Sequence, residues 1–301
     1  MRQKVFEGAG VALVTPFVPK TGEVNYTKLD ELLDFHLKNG TEAFIVAATT
    51  GENPTLSEEE HIHVVAHVVK YVNGRIPVIA GAGSNDTRFG TEQSRRAEAA
   101  GADALLLVTP YYNKTTQRGL VLHFGAMASA VNIPILLYNV PARTGMDMKP
   151  ETVAALMDRH ENIVGIKECV LEHVVEHMYY SGGEIQVFSG EDAQVVPLMS
   201  MGGCGVISVL GNIAPAHVRA MTQACRDGNW KRAAVLQSRM LPLIRALFSE
   251  VSPGPVKEAM NQLGMIVGPC RLPLTEMEAE HAAALKWALA EYGLQRLEEW
   301  K

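Results

Sequence analysis

The chain has no Lys/Arg-rich run, no paired-cysteine spacing, no apolar stretch of membrane length and no Gly-x-Gly-x-x-Gly loop. Each absence removes a class of function. Basic residues number 27 against 33 acidic, for a formal net charge of −6. Without a basic cluster, nucleic acid and anionic membrane surfaces are poor partners. A small anionic substrate stays open, because one arginine suffices to bind a carboxylate. Cys169, Cys204, Cys225 and Cys270 are scattered, with neither metal nor redox spacing, and read as reduced thiols of a cytosolic protein. The opening MRQKVFEGAGVALVTPF begins basic, but Glu7 interrupts any apolar core and no small-residue cleavage site follows. It does not read as a signal peptide, and a cytoplasmic location is expected. The glycosylation sequons at Asn25 and Asn113 therefore carry little meaning. Gly81-Ala82-Gly83 alone is too little for a dinucleotide loop.

What is present is a core-forming composition: 301 residues, 47% hydrophobic and 20% charged, enough for one large α/β domain or two medium ones. Short apolar runs alternate with amphipathic segments. Strands are expected at 10–15, 42–48, 76–80, 104–109, 134–138, 163–167, 186–189 and 205–209. Helices follow them at 26–38, 58–71, 86–100, 117–130, 150–160, 172–180, 192–201 and 215–227. NGTEAFIV, AGADALLLV and GGCGVISV each set a glycine helix stop shortly before an apolar strand, a weak internal echo of one repeated unit. Eight such units predict a parallel (β/α)8 TIM barrel over 1–228 rather than an open doubly wound sheet. Beyond Gly228 the strands stop. Helices at 229–249, 256–263 and 275–292 predict a C-terminal three-helix extension (229–301), whose apolar faces must pack on the barrel or on another subunit.

The segment NIVGIKEC holds the residue with most chemistry in it. A β-branched run reads as a strand buried on both faces, and Lys167 closes it. Lysine is rarely buried. In apolar surroundings its pKa falls, and the neutral amine can attack a carbonyl carbon and form a Schiff base. The plain alternative puts Lys167 just past the strand end, pointing into solvent. The other strand ends bear on the choice, since barrel enzymes place reactive groups there. They carry Thr49-Thr50-Gly51-Glu52, Thr109 to Asn113, Tyr138 to Gly145, Ser189 to Asp192, and Ser208 to Asn212. A lysine imine needs a proton donor and acceptor beside its nitrogen, which a tyrosine in a hydroxyl chain supplies. A keto acid needs donors for its carboxylate, which the Thr-Thr-Gly turn offers. Arg143 offers a clamp for a second acidic substrate.

These motifs resemble a known family. TTGEN (49–53), TPYYNK (109–114), YNVPARTG (138–145), GIKE (165–168), SGED (189–192) and GVISV (205–209) recur in the order found in the 4-hydroxy-tetrahydrodipicolinate synthase family of pyruvate-dependent class I aldolases. The likeness runs through the P-x-P-x-K at 253–257. It implies that Lys167 forms the imine with pyruvate and that Tyr138 is its proton donor and acceptor. Thr49 would relay protons between Tyr138 and Tyr112, the latter supplied by a neighbouring subunit. Thr50 and the Ile207 backbone would hold pyruvate, and Arg143 the carboxylate of aspartate-4-semialdehyde. No metal or organic cofactor is implied, and the assembly expected is a homotetramer built from two dimers.

Two departures from the family pattern matter, one at Ala48 and one at the paired positions Glu58 and Phe89. Ala48 replaces a common glycine. At the interface site of lysine-sensitive members Asn53, His61, Asn85 and Tyr111 fit, but Glu58 and Phe89 stand where a histidine and a glutamate are expected. Weak or absent lysine inhibition follows. Three rival readings are a sialic-acid or keto-deoxy-sugar lyase, a zinc metalloprotease and a catalytically silent barrel. Arg143 argues against the first, because a polyol has no distal carboxylate. The second rests on His173, Glu176 and His177, an H-x-x-E-H pattern with no evident third ligand on what reads as a surface helix. His63 and His67 share the same spacing.

Overall fold

The computed structural model describes residues 2–295. Eight parallel strands close on themselves: β1 (Gly8–Ala12), β2 (Ala43–Val46), β3 (Val78–Gly81), β4 (Ala104–Val108), β5 (Ile135–Asn139), β6 (Ile163–Glu168), β7 (Gln186–Ser189) and β8 (Gly205–Ser208), with β8 pairing back to β1. The helices between them are α1 (Tyr26–Lys38), α2 (Glu58–Val72), α3 (Thr87–Ala99), α4 (Gln117–Ala128), α5 (Pro141–Thr144), α6 (Pro150–Arg159), α7 (His173–Tyr180), α8 (Val195–Ser200) and α9 (Pro215–Arg226). Three more follow: α10 (Trp230–Leu247), α11 (Gly254–Gln262) and α12 (Ala279–Tyr292). The expected barrel and its helical extension are both there.

Local signals account for most of the boundaries. Ser57 and Glu60 form a reciprocal capping box that starts α2, and Asn25 and Asp86 cap α1 and α3 by accepting from Lys28 N and Phe89 N. Differences arise where tertiary contacts compete. The first strand leaves the sheet after Ala12 rather than Thr15, because Thr15 turns to donate its hydroxyl to Gly51 O at 2.7 Å. The segment expected as one helix at 192–201 is a 3₁₀ turn (Asp192–Gln194) followed by α8, since the Asp192 side chain caps the end of β8 instead. The last helix starts at Ala279 and not at 275. The turn after β5 contains the short helix α5, which periodicity cannot reveal in four residues.

The apolar side chains divide by face, as alternation on a strand requires. One layer lies between sheet and helices, with Leu33, Phe44, Val65, Leu105, Leu120 and Phe124 among its members. A second fills the barrel: Phe6, Ile45, Ile79, Leu106, Leu136, Tyr138, Phe188 and Ile207. The Phe6 and Phe188 rings stack at 4.2 Å within this interior layer. The barrel is thus a packed core, and a ligand can enter only from the mouth.

A third cluster joins Ala9 and Val206 of the barrel strands to Met240, Leu243, Leu247, Val256, Met260 and Leu285 of α10–α12. The extension shares a core with the barrel. Each of those six side chains is fully buried, and at about 1.5–3 kcal/mol apiece their burial is on the order of 10 kcal/mol, comparable with the whole net stability of a domain. The chain should therefore unfold in one calorimetric transition, and a fragment ending at Gly228 should show no cooperative melt. A fragment 1–228 that melts cooperatively would contradict this.

Candidate active site

Tyr138 and Lys167 are direct neighbours across the β5–β6 ladder, and one residue on, Asn139 pairs with Glu168. The first pair faces into the barrel and the second faces the helices. The Lys167 ammonium lies 4.3 Å from the centre of the Tyr138 ring. Only 4% of Lys167 is exposed, so it does not point into solvent. Burial pulls its pKa below the ordinary lysine value, although Cys169, Glu191 and Asp192 nearby favour the charged form. Burial also holds the Tyr138 phenol well above its usual range, so it stays protonated at neutral pH. An amine biased toward neutrality beside a phenol that keeps its proton can form and dehydrate a carbinolamine.

The outward face secures the inward one. Glu168 accepts from Asn139 Nδ2 at 2.9 Å, Val170 N at 2.9 Å and His177 Nε2 at 2.9 Å, and Asn139 Nδ2 also donates to Asp147 at 3.0 Å. The residues following Tyr138 and Lys167 are therefore tied to each other. This corrects the expectation for α7. His177 is buried rather than on a surface helix, and a third potential donor does exist, in Glu168, while Glu176 of the pattern is exposed. Among the described residues Glu168, His173 and His177 make the only such cluster. Its carboxylate oxygens are already engaged in hydrogen bonds, which explains the arrangement as a network. His63 and His67 do not converge, since His67 bonds Asp30 at 2.6 Å and His63 is exposed.

Above Tyr138 opens a cavity of about 400 Å³, walled by the segments that follow β2, β3, β4 and β5. Thr49, Asn53, Tyr111, Tyr138, Arg143 and Thr144 line it. Arg143 sits on α5 and donates to Ser252 O at 3.1 Å, which places its guanidinium at the rim. Thr50 is buried and Ile207 fully so. Tyr112 is not in this chain's own cavity wall. Its backbone adopts φ +65°, and 93% of the residue is exposed. A larger cleft of about 720 Å³ lies at the opposite end of the barrel, below the strand starts. There Arg2 spends its guanidinium on the carbonyls of Met157, His160, Glu161 and Ile163. That end of a barrel serves stability.

The regulatory candidates divide. Asn53 and Tyr111 line the cavity, together with Glu58 and Phe89, and Glu58 is paired with Arg96 at 3.2 Å. His61 is buried, with Nε2 bonded to Gly81 O at 2.6 Å, and Asn85 O accepts from Asn113 Nδ2.

The chain matches the dihydrodipicolinate synthetase family over residues 5–292. It belongs to that family. It is 50% identical over 294 residues to the 4-hydroxy-tetrahydrodipicolinate synthase of Acetivibrio thermocellus, covering 98% of this chain and 100% of the relative. Among solved structures it superposes on the chloride-inhibited dihydrodipicolinate synthase of Acinetobacter baumannii, complexed with pyruvate, with a TM-score of 0.93 at 39% identity, covering 97% and 100%. With the enzyme of Cyanidioschyzon merolae bearing lysine the TM-score is 0.94 at 38% identity, again covering 97% and 100%.

Beside Lys167 lie residues to which the sequence reading gave no individual role. Glu191 and Cys169 adjoin the ammonium and the phenol. Burial raises the Glu191 carboxyl, and it pushes the Cys169 thiol up to about 12, so Cys169 is no nucleophile at neutral pH. Asp192 is buried and holds the end of β8 through Ser208 Oγ, Val209 N and Leu210 N. Gly190 lets β7 pass close by. A Cβ there would lie 2.3 Å from Cys169 Sγ and 3.2 Å from Lys167 Cε. Gly190→Ala should therefore cost about 1–3 kcal/mol by overpacking and slow reactions at Lys167. Wild-type melting together with wild-type activity would contradict the packing.

Proposed function

We propose that this chain condenses pyruvate with L-aspartate-4-semialdehyde through an imine on Lys167, giving 4-hydroxy-tetrahydrodipicolinate for lysine and diaminopimelate synthesis. The observation that carries this reading is a fully enclosed primary amine beside a protonated phenol, at the mouth of a barrel of this family. The neutral Lys167 amine attacks C2 of pyruvate. The carbinolamine loses water, its hydroxyl taking a proton from Tyr138. Loss of a C3 proton from the iminium gives the enamine, whose C3 attacks the aldehyde carbon of the second substrate. The amine of that substrate then replaces Lys167 at C2, closing the ring and freeing the enzyme.

Thr50 and the Ile207 backbone hold the pyruvate carboxylate, and Arg143 clamps the distal carboxylate of the semialdehyde. Thr49 passes protons between Tyr138 and Tyr112. An almost fully exposed Tyr112 supports its being lent to the cavity of a second copy, within a tetramer of two such dimers. The chemistry calls on no metal or organic cofactor. Among the described residues no helix is long and apolar enough to cross a membrane, and the proposed location is the cytoplasm.

Turnover of pyruvate with aspartate semialdehyde tests the assignment. Tyr138→Phe should lower kcat by about 100-fold or more, the range of positioned acid–base groups. Arg143→Ala should lower kcat/KM by about 100-fold, near the upper worth of hydrogen bonds to a charged group. Unchanged turnover would remove either residue from its role.

Lysine should inhibit weakly or not at all. An inhibitor in the Asn53–Tyr111 part of the cavity would meet the exposed Phe89 ring where its ammonium needs an anion, and Glu58 is already paired with Arg96. Inhibition at low-millimolar lysine or below would contradict this.

A further inference from the structure

The C-terminal extension meets the barrel mouth at several residues, among them Ser252, Lys257 and Arg271. Lys257, on α11, sends its ammonium back toward the loops after β1 and β2. Its Nζ donates to Glu52 Oε1 at 2.7 Å, Pro269 O at 2.7 Å and Thr15 O at 3.1 Å. All three ammonium protons thus have acceptors. The second Glu52 oxygen accepts from Arg271 N at 2.8 Å, and the ammonium also sits 4.3 Å from the centre of the Phe17 ring. Lys257 is 1% exposed and Glu52 2%. No step of the reaction outlined above uses either group.

Glu52 closes the turn that presents Thr49 and Thr50. Its amide donates to Thr49 O at 3.1 Å, the Asn53 amide donates to Ala48 O at 3.1 Å, and Thr15 Oγ1 holds Gly51 O. The turn is bracketed by two non-glycine residues in the left-handed region, Ala47 at φ +48° and Glu52 at φ +57°. Such conformations cost on the order of 1 kcal/mol or more each and persist only where the surroundings over-determine them. A buried ion pair is a weak source of net stability, because desolvation offsets most of its attraction. Here it does something else, by fastening a strained turn to three other segments.

We propose that Glu52 and Lys257 form a positioning pair that holds the Thr49–Thr50 turn in the geometry needed to receive pyruvate, making the C-terminal extension a working part of the site. The proposal rests on the roles given above to Thr49 and Thr50. The pair touches no substrate. It acts through the two hydroxyls.

The test uses the full chain and the rate at which borohydride traps a pyruvate adduct. The double variant Glu52→Gln/Lys257→Met removes both charges at similar volume, so it should fold with a melting temperature near that of the wild type, as paired removals of buried ions commonly allow. Adduct formation should nonetheless slow about tenfold and KM for pyruvate should rise, since small misplacements cost rate steeply. KM for aspartate semialdehyde, set at Arg143, should stay within about twofold. A folded double variant with wild-type trapping rate and pyruvate KM would overturn the positioning role alone. A wild-type chain that traps no pyruvate would instead overturn the reaction assignment and, with it, this proposal. If the double variant does not fold, Glu52→Gln carries the same test. It keeps the volume and an acceptor for Lys257 but loses the charge, and trapping at the wild-type rate in it would equally overturn the pair's role.

Discussion

The site depends on enclosing one ammonium in the barrel wall. Lys167 is buried against the Tyr138 ring, in a strand flanked on both sides by hydrogen-bonded neighbours. Transfer of a charged amine into such surroundings is unfavourable unless it is partnered, and the response available to lysine is a lowered pKa. The nearby acids temper this without abolishing it. Cys169, Glu191 and Asp192 favour the cation, while burial and Arg143 oppose it. The result is an amine biased toward its neutral form beside a phenol that keeps its proton.

Such an arrangement needs a rigid frame, and the frame is built behind it. The Asn139–Glu168 bond, with His177 and Asp147, ties β5 to β6 one residue past Tyr138 and Lys167. Asp192 does the same for the end of β8, and the Glu52–Lys257 pair fastens the turn after β2. The carboxylates in these contacts are paired, as low-dielectric surroundings demand, while His177 Nδ1 is left without a hydrogen-bond partner. Together these contacts place four of the barrel's strand ends, those of β2, β5, β6 and β8, against a common mouth. The shared core between barrel strands and α10–α12 explains why the extension can serve this purpose, since it cannot move independently of the sheet.

The strands, most helices and the lysine buried at the end of β6 were legible because they follow from local pattern. Continuous β-branched runs mark strands buried on both faces, Ser57 and Asp86 mark helix starts, and a lysine closing an apolar strand is conspicuous. What escaped is long-range. Glu52 and Lys257 are 205 residues apart, and Glu168 meets His177 only because α7 folds back on the sheet. Glu176 looked like a partner for the α7 histidines by spacing, yet it faces solvent and the carboxylate comes from the neighbouring strand. Gly190 and Cys169 show their importance only through a close approach that spacing does not encode. The four-residue α5, which carries Arg143, is too short for periodicity to announce.

The most direct measurement is the location of the covalent bond. After incubation with pyruvate and reduction by borohydride, digestion and peptide mass mapping should find one reduced pyruvyl group per chain, on the peptide containing Lys167. The same mass on another lysine, or on none, would contradict the account.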